Sequence, residues 1–133
     1  MNEIRTSAAD YVNETPRHLP LEVVDLDAEG GAVTESYRNQ VLLQVNRHCL
    51  RMGVIDGQYP WHVHPRSDEL FLVLEGRIEI DLADGRRLAL TPHQSVTIPA
   101  GMVHRTRGVG RTVNLCVEEI AAETVFVEGP AGR

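Results

Sequence analysis

Four side chains in this 133-residue chain have the types and spacing to hold a metal ion: His62, His64, Glu69 and His104. On an extended chain, residues at i and i+2 point to the same face, so the rings of His62 and His64 project together. Imidazole is a favoured ligand for zinc, copper, iron and nickel, and an added carboxylate makes a borderline-hard nitrogen and oxygen site. Glu69 opens the hydrophobic run ELFLVLE, so its carboxylate can return across from the two rings. His104 follows the turn Pro99-Ala100-Gly101, at the start of a further extended run. Three imidazoles and one carboxylate on neighbouring strands complete a shell for one divalent transition metal, whether Fe, Mn, Ni, Cu or Zn.

The elements that must position these groups are short and β-patterned. LEVVDL (Leu21 to Leu26) is expected to be a strand, followed by a loop through Glu29, Gly30 and Gly31. VLLQV (Val41 to Val45) and HCLRMGVI (His48 to Ile55) are expected to pair around Asn46 and Arg47. In the second of these, His48, Leu50, Met52 and Val54 share a face, and His48 reads as a satisfied interior histidine. From Glu69 the inward set is Phe71, Val73 and Glu75, and from His104 it is Thr106. In IEIDL, Ile78, Ile80 and Leu82 alternate inward, and Asp84-Gly85 is a tight hairpin turn. RLAL, SVTIP and HRTR follow, and Gly108 to Gly110 is expected to turn into the strong strand TVNLCVEE. ETVFVE is one more β-like piece. Ahead of all this, SAADYVNE after Thr6 is expected to form a short helix capped by Thr6 or Ser7, and TPRHLP to break regular structure. About ten short strands with evenly spaced turns describe an all-β sandwich or barrel.

These residues resemble the two motifs of the cupin family. The first motif, G(X)5HXH(X)3–4E(X)6G, is met by His62, His64, Glu69 and Gly76, with Asp56 where the opening glycine belongs and Gly57 one place later. The second, G(X)5PXG(X)2H(X)3N, is met by Pro99, Gly101 and His104, with His93 and Gly108 at its outer positions. None of the departures is a family ligand. The resemblance spans roughly residues 40 to 120 and is nearest to small single-domain cupins, often labelled mannose-6-phosphate isomerase-like or RmlC-like. It implies one jelly-roll barrel (a double-stranded β-helix) over residues 1–133, with a short N-terminal helix or extended arm.

Composition sets limits on function. The chain is one domain long. Its net charge is −6, and all 13 basic residues are arginine. An acidic chain with no basic stripe argues against nucleic acid as a partner. No run approaches the length of a membrane span, and the N-terminus lacks an apolar core, so a cytoplasmic protein is expected. Cys49 and Cys116 lie far apart within β-patterned runs and read as free thiols. Leu70, Leu72 and Leu74 make the outer face of the Glu69 strand apolar, so either the N-terminal segment or a second subunit must cover it, and a homodimer is expected.

Other chemistry fits less well. RGVGR has no following helix to cradle phosphate, and neither Ser67 nor Ser95 sits on a strand-turn-helix elbow. Arg86, Arg87, Arg105 and Arg107 read as solvated edge charge. His18 reads as exposed loop. Met52, Phe71 and Val73 are expected to form an apolar pocket wall. Tyr59 and His93 lie near the two motifs and could orient a substrate, though turn or rim positions are the commoner reading. No spacing defines a second acid or base, so the catalytic residues stay unknown. The leading reading is a metal-dependent enzyme on a small oxygen-rich molecule, of dioxygenase or isomerase type. The alternative is a non-catalytic cupin that binds or senses a small ligand; a structural or storage role fits least.

Overall fold

Two long antiparallel strands form the backbone of the molecule. The computed structural model describes residue 4 and residues 14–130, and eight strands and one short helix lie among them. The helix α1 is Leu26–Gly31, and the strands are β1 Tyr37–Val45, β2 His48–Val63, β3 Glu69–Glu75, β4 Ile78–Leu82, β5 Arg87–Leu90, β6 Ser95–Ile98, β7 His104–Glu119 and β8 Val125–Phe126. The strands pair in the order β1-β2-β7-β3-β6, with β4 joining β7 and β5, and β8 joining β2. The 16-residue strands β2 and β7 pair along almost their whole length, from His48 opposite Glu119 to His62 opposite His104. The first half of β7 also pairs with β4 and its second half with β3, so one strand serves both halves of the barrel.

Glycine makes the crossing of β2 and β7 possible. A Cβ on Gly108 would stand 2.3 Å from the Ile55 carbonyl oxygen. Gly108 therefore marks a close approach between backbones inside β7, and the expected turn at Gly108 to Gly110 does not occur. The hairpins at Asn46 (φ 53°) and at Gly85 (φ 100°) form as expected.

Two apolar clusters flank the sheet. Phe71, Val73, Ile78, Ile80, Leu82 and Ile98 fill the interior on one side. Val33, Leu42, Met52, Val54, Val113 and Leu115 form the second cluster, on the outer side. At about 1.5–3 kcal/mol for each fully buried large aliphatic, either cluster outweighs any single polar contact. Leu72 and Leu74 pack against the second cluster together with Val24 and Leu26. The chain's own residues 24 to 33 thus lie over the apolar face of β3 at these two positions. Leu70 instead stands in register with the half-exposed Val117.

The segment expected to be a strand at Leu21–Leu26 is not one. Leu21 adopts φ 75° and Leu21 and Val23 are fully exposed, while Asp25 caps α1 by accepting a hydrogen bond from the Ala28 amide. A side-chain acceptor at the N-cap, with Asp27 and Glu29 in the first turn, outcompetes the local β propensity of LEVV. Glu29, Gly30 and Gly31, expected as loop, are helical. Of the expected N-terminal helix, residues 7–13 lie outside the described residues. No helix among the described residues is long and apolar enough to cross a membrane.

Candidate metal centre

The imidazoles come from three places on the barrel. His62 sits near the end of β2, His64 just beyond it, and His104 opens β7 directly opposite His62. Glu69 opens β3, paired with Ile98 of β6. The loop after β6 is tied to the histidine segment, because the Gly101 amide donates to the His64 carbonyl at 2.9 Å and the Ala100 amide to Asp68 Oδ1 at 2.8 Å. The two sequence motifs are thereby fixed to each other through the backbone.

All four side chains are buried, with His104 only 1% exposed. Their ligand atoms lie within 4.8 Å of one another. Each ring donates through Nδ1 to a main-chain carbonyl: His62 to Pro60 at 2.9 Å, His64 to Glu123 at 3.0 Å, and His104 to Met102 at 2.9 Å. A carbonyl only accepts, so Nδ1 of each ring carries a proton and Nε2 is the atom left for a ligand role. Nε2 of His64 and of His104 lie 3.1 and 3.4 Å from Glu69 Oε1. None of the three atoms has a hydrogen-bond partner of good geometry among the described residues, and all are buried. Two donors each about 2.1 Å from a shared ion stand about 3.0 Å apart at right angles and about 3.4 Å apart at a tetrahedral angle. The donor set and its spacing fit one divalent metal.

Electrostatics in the metal-free cluster are correspondingly tense. Burial, reinforced by His104, pushes the His62 imidazole down to about 3. Burial also pushes on His64, but the nearby Glu69 carboxylate more than offsets it and raises that ring to about 9. Burial would raise Glu69, yet His104 and His64 hold it well below the usual carboxylate range.

A cavity of about 60 Å³ opens beside the cluster, against about 10–15 Å³ for a single water. Phe71 lines it as expected, and so does Tyr59, which is buried and stands edge-on to His62 with ring centroids 4.9 Å apart. Met52 does not line it, because it belongs to the outer cluster, and Val73 packs into the closed interior core. His93 is an exposed turn residue with φ 72°. His48 is exposed rather than interior. Glu75, expected inward, is exposed and pairs with Arg111, because a register shift between Val73 and Glu75 breaks the alternation of β3.

Reading the sequence missed the polar side of this cavity: Arg51, Asn39, Asn114 and Glu118. The register shift between Tyr59 and His62, where β2 carries one extra residue against β7, reverses its parity. Arg51 faces in where Met52 was expected. On β7 the signal was available, since counting by two from His104 reaches Asn114 and Glu118 once the strand is taken as continuous. Burial, and then the Glu69 charge, raise the Glu118 carboxyl to about 7. Cys49 and Cys116 are free and buried, as expected.

Strand order, motif and site together define the class, and the chain belongs to the cupin family. Residues 53–118 match the cupin domain. The uncharacterized protein YdbB of Bacillus subtilis is 50% identical over 104 residues, covering 78% of this chain and 92% of that protein. A cupin-2 domain protein from Shewanella frigidimarina superposes with a TM-score of 0.69 at 22% identity, over 73% of this chain and 94% of the other. A double-stranded β-helix protein from Klebsiella pneumoniae gives 0.69 at 18% identity, over 82% and 93%. These structures establish the jelly-roll fold.

Proposed function

We propose that this cupin binds one divalent transition metal through His62, His64, Glu69 and His104 and acts as a metal-dependent enzyme on a small, oxygen-rich molecule, of dioxygenase or isomerase type. The observation that carries this reading is the convergence of buried Nε2 and Oε1 atoms that make no hydrogen bond to one another. Leaving such atoms unmatched costs about 1–3 kcal/mol each, and more for a charged group. Once bound, the ion supplies a Lewis acid or an oxygen-activating centre. The chain's own contribution is threefold. The carbonyls of Pro60, Met102 and Glu123 hold the rings as neutral donors, Glu69 supplies the single ligand charge, and Phe71 and Tyr59 restrict the space to something compact. With no thiolate and four protein ligands, a tetrahedral zinc ion would be closed to substrate, whereas a six-coordinate iron or manganese ion keeps two places open.

The test is metal analysis of protein made without a histidine tag, followed by a substrate screen with Fe(II), Mn(II), Ni(II), Cu(II) and Zn(II) while oxygen uptake is followed. Turnover with one of these ions supports the enzyme reading. Tight metal binding with no turnover, together with a small ligand that raises the melting temperature, replaces it with a binding or sensing role. A protein that takes up none of the five ions ends the metal reading.

A further inference from the structure

Glu69 and His104 both stand at strand ends, where the ladder of backbone hydrogen bonds gives least support. Glu69 is the first residue of β3 and His104 the first of β7. A strand end frays unless other groups take over the pairing. Just ahead of Glu69, two side chains do so. Ser67, buried at 6% exposure, accepts from the Glu119 amide of β7 at 3.1 Å and donates its hydroxyl to the Asp68 carbonyl at 2.9 Å. Asp68 reaches the other way, its Oδ1 accepting from the Ala100 amide beyond β6 at 2.8 Å. Since β3 lies between β7 and β6, the chain entering Glu69 is held on both flanks.

The second of these anchors bears on His104 as well. Pro99 to Met102 is a β-turn, closed by the Met102 amide on the Pro99 carbonyl at 3.2 Å, with Gly101 at φ 82° in its third place. Such a turn leaves the amides of its two central residues without partners inside it. Both are taken by the segment that carries the other ligands, Gly101 by the His64 carbonyl at 2.9 Å and Ala100 by Asp68. The last residue of the turn then aims His104, because the Met102 carbonyl accepts from Nδ1 of that ring at 2.9 Å. The grip at His64 is backbone and survives any substitution there. The grip at Asp68 depends on one side chain. That side chain is exposed, so packing is not its contribution, and a charged acceptor makes a stronger bond than a neutral one.

We propose that Asp68 is a positioning residue of the metal centre. By accepting from the Ala100 amide it fixes both the turn that aims His104 and the strand end that presents Glu69, so one side chain keeps two ligands in register. Asp68 itself touches neither the ion nor a substrate. This deepens the function proposed above and rests on its metal reading.

The experiment titrates the full chain with Co(II), whose affinity lies between those of Fe(II) and Ni(II) and whose visible absorption reports the number and arrangement of its ligands. Asp68→Ala is expected to weaken Co(II) binding at least tenfold, in line with the cost of about 10–100-fold for losing an outer-shell partner, and to change the spectrum of the loaded protein. Asp68→Asn keeps an acceptor at Oδ1 and is expected to bind within about threefold of wild type, with the wild-type spectrum. Should Asp68→Ala fail to fold, Asp68→Glu keeps the charge but carries the acceptor one methylene further. It is expected to weaken binding at least threefold and to change the spectrum. A folded Asp68→Ala, or in its place Asp68→Glu, with wild-type affinity and spectrum overturns the proposal. So does Asp68→Asn binding as weakly as Asp68→Ala, which would make the effect one of charge. Each of these results leaves the metal reading standing. A wild type that takes up no Co(II) overturns both.

Discussion

Carboxylates meet cationic or ring nitrogen groups on both faces of β7, and the two meetings differ in kind. On the outer face, Asp81 accepts from Arg87 Nε at 2.6 Å and from Arg105 Nε at 2.9 Å, while Glu79 meets Arg77, Arg87 and Arg107. Every carboxylate oxygen there has an arginine, and hydrogen bonding from Arg107 and Arg87 lowers Glu79 and Asp81 below the usual carboxylate range. On the inner face, Glu69 and its histidines crowd together with three polar atoms unmatched. In the outer network the unmatched described atom is Arg107 Nε, on the arginine side. The inner one is completed by the proposed ion. Unmatched acceptors and ring nitrogens, more than burial or charge density, separate the network that holds itself together from the one proposed to act on something else.

That contrast breaks most sharply if a ligand histidine proves dispensable. His104→Ala is expected to lower metal affinity by more than about 100-fold, since losing an outer-shell partner alone costs about 10–100-fold. Metal content per chain after dialysis is the measurement, and near wild-type content would place the cluster with the outer network.

The pH dependence of the metal-free protein sharpens the comparison next. The His64 ring rises from its ordinary 6.5 to about 9 on folding, so its contribution is complete below pH 6.5 and is lost as pH climbs towards 9. At 1.36 kcal/mol per unit, the loss is at most about 3 kcal/mol. Loading with metal is expected to reverse the slope, because protons compete for imidazole below about pH 6 and affinity falls there. Denaturant midpoints at pH 6.5, 7.5 and 9, with and without metal, test this, and parallel curves would contradict it. Glu69→Gln is expected to remove the alkaline slope, since the carboxylate that raises His64 is gone.

The smallest effect is expected on the outer face. Asp81→Asn is expected to lower stability by about 1 kcal/mol, in the range of partly exposed ion pairs, with metal content unchanged. Loss of metal from this variant would show that the two faces are coupled through β7.

How much of this was legible in the sequence depended on whether alternation survived along each strand. His62, His64, Glu69 and His104 were readable because each lies within a few residues of its partners' strand ends, where parity has no distance over which to fail. The jelly-roll class was readable from the turns. Arg51 was hidden by the register shift between Tyr59 and His62 in β2, which sequence does not announce when both faces of the strand are apolar. Glu118 was hidden by Gly108, whose usual meaning is a turn and whose role here is to let Ile55 pass. The helix α1 was obscured by LEVV, although Asp25 and the acidic first turn were there to be read.

The hydrogen bond from His64 to the Glu123 carbonyl spans 59 residues of sequence. That single bond sets an order of events in the life of the molecule. A ring whose orientation depends on so distant a carbonyl cannot be aimed while the chain is still emerging, and closing a loop of that length is slow compared with local pairing. The binding geometry is therefore among the last things made. The proposed metal is therefore expected to be captured after folding and not to nucleate it, drawn from whatever the finished barrel meets.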